Sequence, residues 1–513
     1  MPLPARPSLE DLRAQAGMLA QLARSGVPSA LAAVSEFHPR FRALADQADP
    51  RLAGLTRADA QLVIARQYGF PSWPRLRQYL AAVAEHSRSP LQRPPGGAGP
   101  DVAPGELAEE FIRLGCLAAG EYDPARFEQA SQLLASHPEI ARHSACAAAT
   151  AGQHEQLTAL LRDDPGAARR PDGPFGWEPL LYACYSRVTA GPGRSGLEAA
   201  RVLLAAGADP DAGYLRDALP SPRTALAGAL GRGEGAPPAH PDAMELAELL
   251  LGAGADPNDS QALYNRGLQS PPDDDGYLRL LLRHGLGTGT GGPWHQRLAP
   301  AHPSPRQLLD QELIKAVSKD LPDRAGLLLA HGADPAGRGT GHGAYGGHDS
   351  WELATMAGHH VVLAVLAAAA PPPPGDPALE FLGACMAGDA VRVGALRDAD
   401  PGLPAEAVAR EPDLIVRAAA EDRLAAVRLL AGAGLDVNAV RRAGGRCTAL
   451  HEAAWNGSRP MIDLLAELGA DPLVRDLSHH ATPADWAWHH GHLDVAAYLM
   501  SLADAAASGG DVG

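Results

Sequence analysis

Short apolar stretches at helical spacing recur along this chain in pairs, and each pair is followed by a glycine. Residues 447–472 show the pattern most completely. Leu450, Ala453 and Ala454 mark one helix face, and a second apolar set follows the break at Asn456-Gly457. Two helices of this length cannot bury both faces on each other alone. The pattern therefore predicts a helix pair that needs similar pairs beside it.

The sequence that closes this pair recurs at a regular distance. Gly469-Ala-Asp-Pro472 has related forms that begin at Gly207, Gly254, Gly332 and Gly434. Gly332 and Gly434 are 102 residues apart, which is three times 34, and Gly434 and Gly469 are 35 apart. Glycine suits the left-handed conformation that ends many helices. The spacing predicts an internal repeat.

The start of the unit also recurs. Thr448–Ala453 reads T-A-L-H-E-A, Thr482–Ala487 reads T-P-A-D-W-A, and Glu178–Ala183 is a looser copy. A period near 33 residues with a T-P-L-H-x-A type opening and a G-A-D-P type close resembles the ankyrin-repeat family. The resemblance covers residues 106–503. It implies an all-α fold, an ankyrin-type α-solenoid of about ten repeats with β-turn-like finger loops, with residues 106–140 as an N-terminal cap.

Three segments lie outside the predicted solenoid. Residues 8–86 carry apolar positions at helical spacing and predict a small helical N-terminal domain. This segment resembles a helical head that precedes ankyrin arrays in bacterial proteins, and the resemblance implies no particular activity. Residues 87–105 are rich in proline and glycine and predict a flexible linker. Residues 504–513 predict a disordered tail.

The charge is distributed unevenly along the chain. The formal net charge is −16, but residues 1–95 hold 12 arginines against 7 acidic residues. An acidic solenoid argues against nucleic acid as the main partner, while the basic head keeps nucleic-acid binding by that domain as an alternative. No apolar run approaches the ~18 residues of a membrane span, and no signal peptide is visible. The sequence therefore predicts a cytoplasmic protein without a membrane segment.

No motif in the chain makes a positive case for an enzyme or a cofactor. His451-Glu452-Ala-Ala-Trp455 differs from the H-E-x-x-H zinc motif because Trp455 replaces the second ligand. His451 also occupies the histidine position of the repeat, where we expect it to bond to neighbouring backbone. His479, His480 and His489-His490-Gly491-His492 leave a metal-binding protein or a metal-dependent enzyme as an alternative function.

The surface of the solenoid is the remaining candidate for function. In a stacked array, the first helices and the finger loops line a concave face. Tryptophan, tyrosine and arginine are frequent anchors of protein interfaces. We therefore predict a non-catalytic scaffold that binds a protein partner on this face. The candidate contact residues are Trp177, Tyr182, Tyr185 and Arg187 near the front, and Arg446, Glu452, Trp455, Asn456, Trp486, His489 and His490 near the back. Trp294 is either a further anchor or a residue that fastens its own loop.

Overall fold

A computed structural model of the chain describes residues 3, 8–42, 49–88, 104–117, 123, 125–188, 191, 193–216, 220–231, 237–269, 274–341, 345, 347–441 and 446–509. Contacts between residues divide the chain into two compact units, Met1–Pro305 and Arg306–Gly513. Each unit is described separately. The described residues are mostly helical, as the repeat pattern predicts.

Unit 1 contains the predicted head and the first helix pairs. Its helices are α1 (Leu9–Arg24), α2 (Pro28–Phe37), α3 (Arg57–Gln67), α4 (Trp73–His86), α5 (Pro104–Gly115), α6 (Ala125–Ser136), α7 (Ala145–Ala151), α8 (His154–Asp163), α9 (Pro179–Tyr185), α10 (Gly196–Ala205), α11 (Ala225–Leu230), α12 (Ala243–Gly252), α13 (Ser260–Gln269), α14 (Gly276–Arg283) and α15 (Pro293–Leu298). Its strands are β1 (Ser87–Arg88), β2 (Gly213–Arg216) and β3 (Pro222–Thr224).

Unit 2 contains the remaining helix pairs. Its helices are α16 (Pro305–Ser318), whose first residue belongs to unit 1, α17 (Pro322–Ala330), α18 (Ser350–Ala357), α19 (His360–Ala369), α20 (Pro377–Met386), α21 (Ala390–Ala399), α22 (Leu403–Arg410), α23 (Leu414–Ala420), α24 (Leu424–Gly432), α25 (Ala449–Asn456), α26 (Arg459–Glu467), α27 (Pro483–His489) and α28 (Leu493–Gly509). First helices pack beside first helices, as in the contacts of α25 with α23 and α27.

The second helix of a pair ends in the same way along the chain. After α26, Gly469 has a φ of 89°, and the backbone N–H of Ala470 donates to the carbonyl of Leu465 at 2.9 Å. This is the bond of a Schellman motif, which satisfies a carbonyl that the helix end leaves free. The same positive φ and the same bond occur at the glycines of five other pairs: Gly207, Gly254, Gly285, Gly332 and Gly434. The predicted closing signal is therefore confirmed in both units.

The break between the two helices of a pair also has a fixed geometry. Gly457 follows α25 with a φ of 66°, and the N–H of Ser458 donates to the carbonyl of Ala453. Asp320 and Asp422 take the same position with φ values of 52° and 53°. Aspartate is one of the few residues that tolerates this conformation without a glycine. The break between the helices therefore requires a residue with a positive φ, which is either glycine or a residue with a short polar side chain.

Side-chain caps and arginine side chains stabilise the N-terminal helices. Ser8 accepts the first free N–H groups of α1, and α3 begins with a capping box formed by Thr56 and Asp59. Arginines of this domain also bond to its own carbonyls: Arg24 donates to Leu55 at 2.6 Å, and Arg66 donates to Phe37 at 3.0 Å.

The head packs against the repeats of the same unit. Strand β1 continues directly from α4 and pairs in parallel with β2, which pairs antiparallel with β3. Leu215, Trp294 and Leu298 belong to the apolar core of the head. The sequence does not predict this sheet, because its strands are too short to show an alternating pattern.

Two predicted boundaries are wrong in part. Ser87 and Arg88 form strand β1 and do not belong to a flexible linker, because their backbone groups bond to β2. Residues 89–103, the main part of the predicted linker, lie outside the described residues. Residues 504–509 continue α28 and are not a disordered tail, and residues 510–513 lie outside the described residues.

Candidate protein-binding face

A buried histidine connects the last two helix pairs. The Nδ1 atom of His451 accepts the hydroxyl of Thr448 at 2.8 Å and its backbone N–H at 3.3 Å. The Nε2 atom lies 3.1 Å from the carbonyl oxygen of Ala481, which precedes α27. Burial lowers the pKa of His451 and keeps the ring neutral, which this bonding pattern requires. The predicted structural role of His451 is confirmed.

Asp476 organises the loop before α27 and orients a tryptophan. Its buried carboxylate accepts the backbone N–H groups of Ser478, His479 and Ala481 and the indole N–H of Trp486 at 3.1 Å. Burial raises the pKa of this carboxyl, but the hydrogen bonds lower the pKa by more than burial raises it. The pKa therefore falls to about 2. The charged carboxylate therefore fixes the Trp486 ring at the start of the last pair.

Two tryptophans and two histidines meet on the surface of α25 and α27. The rings of Trp455 and Trp486 are 5.4 Å apart between centroids, edge to face, and His490 lies against Trp455. His489 contacts the ring of His490. The exposed fraction of Trp455 is 44%. We call Trp455, Trp486, His489 and His490 the aromatic face. The sequence predicts all four as contact residues, and the structure brings them together.

The other predicted residues near the back have partners within the chain. Glu452 accepts Arg441 at 3.0 Å and is half-buried. Asn456 is exposed, but its side-chain N–H donates to the carbonyl of Ala420 at 2.9 Å and so connects α25 to the preceding pair. Arg446 is exposed and has a φ of 49°. The backbone carbonyl of Arg446 accepts the N–H of Leu477 at 3.2 Å.

The predicted exposure of the aromatic residues near the front is wrong. Trp177, Tyr182 and Tyr185 are buried, with exposed fractions of 5% or less. The ring of Trp177 lies 4.8 Å from that of Tyr214, and the hydroxyl of Tyr182 donates to the carbonyl of Asp172 at 2.7 Å. These side chains pack against one another and against Tyr214 of β2, and so form an aromatic core within unit 1.

Arg187 is also buried, so its predicted exposure is wrong. Its guanidinium donates to the carbonyls of Pro238, Gly228 and Gly231, each at 2.9 Å, and to those of Cys184 and Ser186. Burial lowers its pKa to about 10, which leaves the side chain charged at neutral pH. Carbonyl dipoles at the ends of α9 and α11 and in the loop after α11 stabilise this cation, so Arg187 fastens that loop to the fold.

Trp294 fastens its loop, which was one of its two predicted roles. Its indole N–H donates to the carbonyl of Asp211 at 2.9 Å, and its ring lies 5.0 Å from that of His86 on α4. The side chain is buried between the repeats and the head of unit 1. It is therefore not an exposed anchor for a partner.

The C-terminal histidines do not converge on one point. The Nε2 atom of His492 lies 3.1 Å from the carbonyl oxygen of Trp455, which connects two helix pairs. His240 and His359 make the same kind of contact, with the carbonyls of Ala183 and Val317. Within the described part of the chain, no group of three or more His, Cys, Asp or Glu side chains is placed to hold a metal ion.

The structure reveals exposed apolar side chains that sequence analysis did not select. Trp488 is 65% exposed. In the alignment of repeats that places Thr482 on Thr448, Trp488 corresponds to Ala454, which is fully buried under the next pair. A tryptophan at a position where the preceding repeat has a buried alanine is the sequence signal that could have identified Trp488. Leu473, Leu477, Leu493 and Met500 are also exposed.

Comparison with protein families identifies this part of the chain. Residues 415–508 match the family model for ankyrin repeats in three copies. The comparison with curated proteins gave no match. The resemblance to ankyrin-repeat proteins is therefore confirmed, and the matched residues contain the whole aromatic face. No described helix combines the length and the apolar character that crossing a membrane requires.

Proposed function

Because residues 415–508 are ankyrin repeats, we propose that this protein is a non-catalytic scaffold that binds a protein partner on its aromatic face. The observation that carries the proposal is the edge-to-face pair of the exposed Trp455 and the half-buried Trp486 on adjacent first helices. Ankyrin repeats are in general protein-interaction modules and are typically not catalytic.

The chemistry of the aromatic face fits a protein interface. Tryptophan contributes a large apolar area with few rotatable bonds, and it is enriched among the residues that dominate binding energy. The Trp486 ring is already held by Asp476, so a partner does not have to order it. His489 and His490 add polar ring atoms at the edge of the apolar surface. Arg446 is a candidate contact beside this face.

We extend the ankyrin assignment to residues 106–503 and to about ten repeats. Support comes from the recurrence of the same two turns outside the matched region. Gly207, Gly254 and Gly332 close helix pairs with the bond seen at Gly469. The five cysteines of the chain are buried and unpaired, which fits a reducing compartment such as the cytoplasm.

Capture of partners by the full-length protein tests the proposal. Purified protein on a resin is compared with the Trp455→Ala, Trp486→Ala double variant and with Trp488→Ala. Trp486 and Trp488 lie two residues apart on α27, so they point to different faces of the helix. We expect the same bound protein with the wild type and Trp488→Ala and its loss with the double variant. Equal capture by all three would contradict the proposal.

A further inference from the structure

A groove opens in unit 2 between two consecutive helix pairs, α18–α19 and α20–α21. The first helices pack tightly, because Gly383 of α20 lies so close to the carbonyl oxygen of Thr355 that a Cβ atom would overlap it. After α19 the chain runs through Pro371–Pro374, which have no backbone N–H to continue a helix. The resulting groove has a volume of about 720 Å³, within the range of ligand-binding sites in proteins.

The floor and one wall of the groove are apolar. Trp351 and Leu379 are buried side chains that line it, and Leu363 of α19 is half-buried beside them. The exposed prolines Pro372–Pro374 form part of the wall. Trp351 is 6% exposed. A ligand in the groove would therefore meet apolar surface.

The rim of the groove is acidic. Five carboxylates line it: Asp349, Glu352, Asp376, Glu380 and Asp389. Three guanidinium groups offset part of this charge, since Arg392 pairs with Glu380, Arg410 with Asp376 and Glu352, and Arg338 with Glu352. Some of these carboxylates cap helices, since Asp376 accepts the N–H of Ala378 and Asp389 accepts that of Arg392. A cap uses one carboxylate oxygen here and leaves the negative charge in place. The surplus of negative charge favours a cationic ligand.

The chain itself shows which cation these carboxylates accept. The guanidinium of Arg392 reaches from α21 to Glu380 at 3.2 Å. The guanidinium of Arg410 binds Asp376 and lies 3.9 Å from Glu352. The contact of Arg392 with Glu380 is at the surface, where an ion pair contributes little to stability. A second guanidinium can therefore take the place of Arg392 at the mouth of the groove.

We propose that this groove binds an extended segment of a partner protein in which arginine alternates with apolar side chains. An extended chain places alternate side chains on opposite sides. Apolar side chains would then cover Leu363, Leu379 and the prolines, while arginines reach Glu380 and Asp389 at the rim. The groove lies outside the aromatic face and outside the residues that match ankyrin repeats, so it is a second and separate binding site.

The probe is a short fluorescein-labelled peptide of alternating leucine and arginine, titrated with the full-length protein near physiological salt. Fluorescence anisotropy gives the dissociation constant. A peptide of alternating leucine and glutamate is the charge control, and free arginine amide tests whether a lone cation suffices. We expect saturable binding of the arginine peptide and no measurable binding of the other two. Comparable binding of the glutamate peptide or of arginine amide would overturn the proposal.

Matched variants separate the groove from the general acidity of the protein. Glu380→Gln and Asp389→Asn should each weaken binding about three- to fivefold, the range of a partly exposed ion pair. Asp398→Asn removes an exposed charge outside the groove and should leave affinity unchanged. Arg392→Ala should strengthen binding about threefold, because it frees Glu380, whereas Arg397→Ala on the same helix should not. Equal effects within each pair would contradict the proposed site.

A groove-filling variant gives an independent result. Ala367 is exposed and lines the groove, so Ala367→Trp places a large ring in it without entering the core. We expect loss of peptide binding at an unchanged melting temperature. Retained binding in this folded variant would overturn the proposal even if the charge variants behaved as expected.

Discussion

Trp455 and Trp486 lie edge to face on consecutive repeats, with ring centroids 5.4 Å apart and an angle of 63° between the planes. Their helices, α25 and α27, are held in register by the bond between His451 and the carbonyl of Ala481. The aromatic face is thus built by two repeats and depends on how they stack. Its binding and its stability can be tested separately.

Removal of the exposed ring should affect binding far more than folding. We expect Trp455→Ala to weaken partner binding at least about tenfold, as at interface hot spots. The Trp455 side chain is 44% exposed and belongs to no network of buried hydrogen bonds among the described residues. The free energy of unfolding of the variant should therefore fall by less than about 1 kcal/mol. Surface plasmon resonance with the captured partner and urea denaturation measure the two quantities. A large loss of stability with unchanged affinity would contradict the prediction.

Removal of the buried histidine should have the opposite effect. His451→Ala deletes a fully buried ring and leaves the carbonyl of Ala481 and the N–H of Thr448 without their partner. We expect the free energy of unfolding to fall by about 2–4 kcal/mol in urea denaturation. His492→Ala removes one bond to the carbonyl of Trp455 near the surface and should cost about 1 kcal/mol. Equal losses would show that the buried connection has no special role.

The buried His240 should make stability sensitive to acid. Burial, and then the charge of Arg187, lower its pKa to about 3, while the unfolded side chain titrates near 6.5. Between these values the unfolded state binds the extra proton, so this group reduces stability as pH falls below about 6.5, by up to ~1.4 kcal/mol per pH unit.

The variant His240→Gln isolates this contribution. Burial raises the pKa of Asp259 in the same unit to about 6, and that carboxyl opposes the trend because its folded form binds the proton more readily. The comparison of wild type and variant cancels such groups. Urea denaturation at about pH 7, 6 and 5 should give a shallower loss of stability for the variant. Parallel curves would show that His240 is not held neutral.

Arg187 stabilises unit 1 through the planar, branched shape of its guanidinium as well as through its positive charge. Its guanidinium donates to carbonyls of Pro238, Gly228 and Gly231 at once. A lysine ammonium is a single point and cannot span these acceptors. We expect Arg187→Lys to lower the free energy of unfolding by about 2–4 kcal/mol, measured by urea denaturation. Arg201→Lys, at an exposed ion pair with Glu198, is the control and should have little effect.

Local signals could be predicted from the sequence. Gly469 and the equivalent glycines can be identified because a helix pair closes with one residue at positive φ, a conformation that favours glycine. This requirement is the same at the end of each such pair. His451 is identified by its distance from Thr448 within one turn. The aromatic face follows from the same register, because Trp455 and Trp486 belong to the most regular repeats, and its role as a partner site stays a proposal.

Contacts between distant segments could not be predicted. The burial of Arg187 depends on carbonyls about forty to fifty residues later in the chain, at the end of α11 and in the loop that follows it, and the repeat pattern does not determine how that loop is placed. Trp294 is buried because the head packs on its loop, and the short strand β1 that helps to attach the head has no sequence pattern. In unit 1 the insertions changed which side chains are covered, and the exposure predicted from a regular repeat failed there.

Site-specific photo-cross-linking from the aromatic face tests the central claim most directly. A photoreactive phenylalanine replaces Trp455 in one sample and Trp488 in another, and the adducts are identified by mass spectrometry after irradiation in native lysate. Our account predicts a dominant protein adduct from position 455 that is absent from position 488 and is displaced by unlabelled wild-type protein. No protein adduct at position 455, or the same adducts at both positions, would contradict it.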